Sequence, residues 1–231
     1  SSLATSELTV APDAKVAARA EEIQKEIDAD YGTVFAKTEV ALDGEKANVR
    51  TGETNLGDLI ADAMLWQAGL LDEGVDAAVT NGGGIRASIA AGDITKKDIN
   101  TVLPFGNTLY VVKVTGAELL EALEAAAQAL PYGDASADAC ASFMQAAGLT
   151  YSVNADQAYD KGEAYGKHWF KANSVSRVTI IDVNGKAFDP NATYAVITHN
   201  ANFNGMDSSY MFKAAAEANE KSAITKAVVR D

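Results

Sequence analysis

The chain has 231 residues, 48% of them hydrophobic and 22% charged, with a formal net charge of −13. That balance fits a globular protein and argues against general binding to nucleic acid, whereas an anionic small ligand feels nearby arginines more than the distant sum. No segment has the apolar length to span a bilayer, and the single cysteine, Cys140, excludes an internal disulfide framework and a cysteine-based zinc cluster. A chain that opens at Ser1 without Met or a signal peptide is expected to be processed or excised from something longer.

Residues 1–12 read as an irregular leader ending at Pro12. From Asp13 to Asp30, Val16, Ala20, Ile23 and Ile27 recur at helical spacing among charged residues, which predicts an amphipathic surface helix packed on one face. Val34 to Leu42 reads as a strand closed by Asp43-Gly44, a hairpin-type turn. Asn55 is placed to cap a helix carrying Leu56, Leu59, Ile60, Ala63, Met64 and Gln67. Ala77 to Thr80 is a short buried strand, and three glycines follow it. Thr95-Lys96-Lys97-Asp98 and Thr115-Gly116-Ala117-Glu118 both match the capping box. Between them, Thr108 to Val114 is rich in β-branched residues, as strands are. The helix from Gly116 stops at Pro131, and residues 131–141 form a loop.

Leu149 to Val153 and Ser174 to Val183 are expected strands with a long polar excursion between them. Asn184-Gly185 signals a tight turn. Tyr194 to Thr198 is another strand, ending in the loop from His199 to Tyr210, and a last helix covers 213–220. Strands and helices interleave irregularly, which predicts a mixed α/β domain rather than a parallel doubly wound sheet.

Ordinary catalytic equipment is scarce. The two histidines, His168 and His199, form no H-x-H, H-x-x-x-H or D-x-H pattern, and a zinc site or dinuclear phosphatase site normally needs more. No G-x-S-x-G elbow exists. His199 reads as a surface or hydrogen-bonded histidine rather than a catalytic one, and His168 as a surface group. The run Asn81-Gly82-Gly83-Gly84-Ile85-Arg86 is more informative. Glycines at a strand end permit positive φ and close approach of a ligand, and the Arg86 fork suits phosphate or carboxylate. Arg50 precedes a helix N-terminus, where anions are favoured. Phe105, between Pro104 and Gly106, sits in a tight turn where a ring is hard to bury. Asp207 supplies a carboxylate in a second strand-end turn, suited to ribose hydroxyls. Strand-end loops of this kind commonly meet at one crevice, so a nucleotide is the expected ligand.

The stretches Asn55-Leu56-Gly57-Asp58-Leu59-Ile60, Asn81 to Arg86 and Leu103-Pro104-Phe105-Gly106-Asn107, in that order, resemble the C-terminal domain of the 5'-nucleotidase family, and the resemblance runs from about residue 33 to 212. It implies a layered α/β domain with a mixed sheet. In that family an N-terminal metallophosphoesterase domain holds a divalent metal pair and the C-terminal domain recognises the nucleotide. The resemblance therefore implies no metal or cofactor in this chain. It makes Arg50 and Arg86 the phosphate-region residues, with Asn81 and Gly83 lining the pocket. Phe105 becomes the base platform and Asp207 the ribose ligand. Lys46 falls where some members carry a further arginine. A second ring, expected six residues before the aspartate, is replaced by Ala201. Phe203, on the same face of an extended segment, either substitutes for it or the base is held from one side only. Ser208 stands where a glycine is usual.

The expectation is thus a nucleotide- or nucleoside-recognition domain over 31–231, preceded by a leader and connecting helix over 1–30. Its parent would be an extracytoplasmic phosphohydrolase, periplasmic, secreted or at the cell surface. Its partners would be the nucleotide and the N-terminal metal domain, with no nucleic acid and no membrane span. The isolated chain would be inactive. A binding or adhesion module that has lost nucleotide recognition is the alternative; a self-sufficient hydrolase using Asp207 and His199 lacks a marked nucleophile.

Overall fold

A computed structural model describes residues 13–70, 74–131, 139–221 and 226–228. The leader over 1–12 and most of the loop over 131–141 lie outside the described residues. Among the described residues the order is α1 (Ala14–Tyr31), β1 (Val34–Thr38), α2 (Lys46–Val49), α3 (Asn55–Leu70), β2 (Ala77–Asn81), β3 (Gly92–Thr95), α4 (Lys96–Val102), β4 (Leu109–Thr115) and α5 (Gly116–Ala126). There follow β5 (Met144–Ala147), β6 (Leu149–Val153), β7 (Lys161–Tyr165), β8 (Trp169–Ala172), β9 (Val178–Val183), β10 (Lys186–Ala187), β11 (Thr193–His199), α6 (Asn200–Phe203), α7 (Tyr210–Lys221) and β12 (Lys226–Val228).

The central sheet runs β12-β4-β11-β2-β5. Only β11 and β2 are parallel; the other neighbours are antiparallel, so the expected mixed sheet is present. Period-two alternation divides its faces. Val112, Val114, Val196, Ala77 and Val79 join a core with α5, α7 and the β10-β9-β6 sheet. Ala78 and Ile197 turn the other way, onto Ala61, Met64 and Ala68 of α3. A third cluster (Leu42, Val49, Leu56, Ile85, Ile89, Ile94 and Val102) packs the segments around the glycine turn.

Local signals explain several boundaries. Both capping boxes form, with Thr95 and Asp98 opening α4 and Thr115 and Glu118 opening α5. Asn184 and Gly185 both take positive φ, as the turn between β9 and β10 requires. Buried Glu124 of α5 accepts from the backbone N–H groups of Arg177 and Val178 at 2.9 and 2.8 Å. The Arg177 guanidinium donates to the carbonyls of Ala127 and Leu130, at and just beyond the end of α5, at 3.0 and 2.6 Å.

Four expectations are corrected. β1 stops at Thr38 and pairs with β3, so Asp43-Gly44 is not a hairpin turn. Its geometry is set instead by side chains, with Asn55 Oδ1 accepting from Asp43 N at 2.8 Å and Asn55 Nδ2 donating to Ala41 O at 2.9 Å. Asn55 is therefore occupied, and Thr54 Oγ1 caps α3 by accepting from Gly57 N at 3.1 Å. The polar excursion after β6 contains a hairpin, β7–β8. Finally, Val16, Ile23 and Ile27 of α1 remain exposed, so its apolar stripe is not covered by the described residues. Lys97 of α4 does reach Asp28 of α1 at 3.3 Å.

Candidate functional site

Because β11 runs parallel to β2 and antiparallel to β4, the ends of β2 and β11 meet the start of β4 at one sheet edge. The glycine turn, the 199–210 loop and the 103–108 loop all leave from that edge. Direct ties fix them to one another. Asn200 N donates to Thr108 O at 2.8 Å and Asn200 Oδ1 accepts from Thr108 N at 3.1 Å. Arg86 N donates to Val102 O at 2.9 Å. The three strand-end loops thus lie together at one edge of the sheet.

The glycines are there for space, not for φ. None of Gly82, Gly83 or Gly84 has positive φ; the three form a tight 3-10 turn, which corrects the expectation. A Cβ on Gly82 would stand 2.0 Å from Val49 O, and one on Gly83 2.8 Å from Ala141 Cβ. The turn wraps the buried side chain of Asn81. Asn81 Nδ2 donates to Asp207 Oδ2 at 2.8 Å, and Asn81 Oδ1 lies 2.8 Å from His199 Nε2. Asp207 takes positive φ, a conformation that a short polar side chain tolerates better than most.

Phe105 is 60% exposed. A ring plugged into the core would be enclosed; this one is presented. The Arg86 guanidinium lies 5.9 Å from its centroid, within cation–π range. Arg86 also donates to Gly83 O at 3.1 Å and faces solvent. Arg50 is placed differently. Its backbone backs the glycine turn, Arg50 Cα lying 3.2 Å from the Cβ position of Gly82, but the residue is only 4% exposed. Lys46 is exposed at the start of α2.

Phe203 does not offer a second ring face, which corrects the expectation drawn from an extended segment. Residues 200–203 form the helical turn α6, and this turns Phe203 into the core. There it stacks on Tyr110, with ring centroids 4.5 Å apart. Ala201 O accepts from Met206 N at 2.9 Å, and Met206 is an exposed apolar side chain of the same loop.

Two residues that sequence reasoning did not place in the site support it. His199 is buried, and burial lowers its pKa to about 4, so the ring is neutral. The expectation of a hydrogen-bonded histidine fits this environment better than a surface group. Gln145 of β5 is also buried. Its Nε2 donates to Val49 O at 2.9 Å and Gly52 O at 2.7 Å, and its Oε1 accepts from Thr54 N at 3.2 Å. It thereby fixes the 49–54 segment that carries Arg50. No motif marks it, because an alanine-rich strand reads as nothing in particular.

Residues 34–215 match the family described as 5'-nucleotidase, C-terminal domain. The chain belongs to this family. It is 38% identical over 185 residues to the trifunctional nucleotide phosphoesterase protein YfkN of Bacillus subtilis, an alignment covering 79% of this chain and 11% of that protein. It is 35% identical over 182 residues to protein UshA of Yersinia enterocolitica, covering 79% of this chain and 26% of that one. Among solved structures, a 5'-nucleotidase precursor from Thermus thermophilus superposes with a TM-score of 0.68 at 34% identity, covering 89% of this chain and 37% of that one. The domain thus spans a minor part of the length of the proteins it matches.

Among the described residues no three of His, Cys, Asp or Glu come together in a way that could hold a metal ion. No helix of the described residues is long and apolar enough to cross a membrane.

Proposed function

We propose that the domain recognises the nucleoside end of a nucleotide and presents its phosphate to a metal-holding domain of a longer phosphohydrolase. The observation that carries this reading is the exposed ring of Phe105 beneath the Arg86 guanidinium. Enclosing a phenylalanine would contribute about 1.5–3 kcal/mol. A flat base laid on the ring recovers a comparable amount, about 1–3 kcal/mol in other base–aromatic stacks. Arg86 on the rim attracts the phosphate, and Arg50 adds positive charge behind the glycine turn. Asp207 accepts from the ribose hydroxyls, while Asn81 and Gly83 line the pocket. Lys46, exposed at the start of α2, is a further candidate cation for the phosphate.

Hydrolysis itself belongs to a divalent metal pair and its activated water in the N-terminal domain, with remote binding energy here used for positioning. Residues 1–30 then serve as leader and connecting helix, and the exposed stripe of α1 suits cover by the rest of such a parent. The setting proposed is extracytoplasmic, in nucleotide breakdown. A binding module without nucleotide recognition is the second reading, favoured by the enclosure of Phe203, which leaves the base one aromatic face.

Titration of adenosine and AMP into the chain, with Phe105→Ala beside it, separates the two. Loss of one stacking face is expected to weaken binding at least about fivefold. Absence of binding in the unaltered chain favours the second reading, and equal binding in both proteins overturns the platform.

A further inference from the structure

A largely buried polar chain runs from α6 to the glycine turn and on to Asp207. Asn202 N lies 3.4 Å from His199 Nδ1, His199 Nε2 lies 2.8 Å from Asn81 Oδ1, and Asn81 Nδ2 lies 2.8 Å from Asp207 Oδ2. Its polarity follows from both ends. At one end a backbone N–H can only donate, so Nδ1 must accept and the ring proton sits on Nε2. At the other end a carboxylate accepts, so the Asn81 amide must turn its Nδ2 toward Asp207 and its Oδ1 toward the imidazole. The two requirements agree. A flipped amide would set Oδ1 against the carboxylate and two donors against each other.

The rest of the edge protects this arrangement. Asn81 and His199 are both buried, so an unmade bond there would cost about 1–3 kcal/mol. A Cβ on Gly83 would stand 3.1 Å from Asn81 Nδ2, and one on Gly84 3.1 Å from Asn81 Oδ1. Glycine at both positions keeps a side chain from crowding the amide. Capping alone does not explain a histidine here, because Ser, Asp and Asn cap helices better. Those side chains would be too short to cap α6 and also reach Asn81.

We infer that His199 is a positioning residue for ribose recognition: its Nε2–H locks the Asn81 amide, which holds the Asp207 carboxylate in place to accept from the vicinal hydroxyls of a nucleoside. This rests on the reading above that Asp207 meets the ribose. The ring touches no ligand and moves no proton. It holds the turn carboxylate as a fixed acceptor, so the affinity that depends on it is the difference between a nucleoside and its dideoxy analogue.

Adenosine and 2′,3′-dideoxyadenosine are titrated into the unaltered chain and into His199→Leu, His199→Gln and Phe105→Ala. The unaltered chain is expected to prefer adenosine by about tenfold, the scale of a hydrogen bond to a charged group. His199→Leu should bring the two ligands level without weakening dideoxyadenosine. His199→Gln, whose amide N–H can reach Asn81 Oδ1, should restore most of the preference. Phe105→Ala should weaken both ligands alike. If Phe105→Ala has its effect but His199→Leu keeps the tenfold preference, the positioning role is wrong and the platform stands. If adenosine does not bind the unaltered chain, or binds no better than the dideoxy analogue, the reading of Asp207 falls and this inference with it. Long-range 1H–15N correlation on the unaltered chain needs no variant. A protonated Nε2 and a bare Nδ1 are expected for His199, and a proton on Nδ1 would overturn the proposal even if His199→Leu did not fold.

Discussion

Replacing Gly57 by Ala should destabilise this domain, although the same change on an ordinary helix face stabilises it. Alanine exceeds glycine in helix propensity by about 0.5–1 kcal/mol, and Gly57 lies in the first turn of α3. A Cβ there, however, would stand 2.1 Å from Gln145 Oε1, 2.4 Å from its Cδ and 2.6 Å from its Cγ. The side chain cannot swing aside cheaply, because it holds Val49 O, Gly52 O and Thr54 N through three hydrogen bonds. Overpacking of this kind costs about 1–3 kcal/mol, and loss of part of the hydrogen-bond set adds a similar amount. Gly57→Ala is therefore expected to lower stability by about 2–4 kcal/mol in urea denaturation followed by circular dichroism. Gln145→Ala alone should also be costly, since it orphans two carbonyls and an N–H. In the double variant the clash is gone and the helix propensity of alanine reappears. Gly57→Ala should then be neutral or stabilising by up to about 1 kcal/mol in the Gln145→Ala background. The sign reversal is the test. A Gly57→Ala effect that is the same in both backgrounds would refute the contact between α3 and β5.

Stability should depend on pH through His199. Its folded pKa, about 4, lies below the ordinary value of 6.5, so the unfolded chain binds the proton first as pH falls. The contribution, about 3 kcal/mol by linkage, is fully present above pH 6.5 and lost as pH falls to about 4; His199→Gln should show a flatter profile over that window, and parallel profiles would contradict the buried neutral ring. Removing the Arg177 side chain with Arg177→Met should cost about 2–4 kcal/mol, because it takes the donors away from the carbonyls of Ala127 and Leu130 at and just beyond the end of α5; a loss below about 1 kcal/mol in the same denaturation assay would show that water replaces the guanidinium. Phe105→Ala should change the melting temperature by less than about 2 °C, since the ring is already exposed. A larger drop would mean that the ring supports the fold rather than a ligand. The purified chain should release no phosphate from AMP with added Mn²⁺, Zn²⁺ or Mg²⁺; chelator-sensitive release would contradict the assignment of hydrolysis to another domain.

Sequence legibility followed the range of the interaction that fixes each feature. Both capping boxes, the Asn184-Gly185 turn and β2, β4, β6 and β11 were readable because neighbouring residues determine them. Asp43-Gly44 misled because β1 finds its partner in distant β3, and the same long-range pairing hid β3 itself. The polar segment holding β7 and β8 carried no apolar alternation, since half-exposed strands of a small hairpin need little. At the site, the glycines were legible and their reason was not. Close packing by Val49 and Ala141, both distant in sequence, demands them rather than a special φ. Phe203 was misplaced because a single helical turn, α6, rotates it through the loop and onto Tyr110. The link from His199 through Asn81 to Asp207 joins residues of three segments, and nothing local announces it.

The central claim is that a nucleoside base lies on Phe105. Intermolecular nuclear Overhauser effects between AMP and the chain, with phenylalanine selectively labelled and Phe105→Leu used to assign the ring, test it most directly. The account expects contacts from adenine H2 or H8 to the Phe105 ring protons, together with contacts from ribose protons to the loop around Asp207. Contacts from the base to any other phenylalanine, or bound AMP with no contact to Phe105, would contradict it.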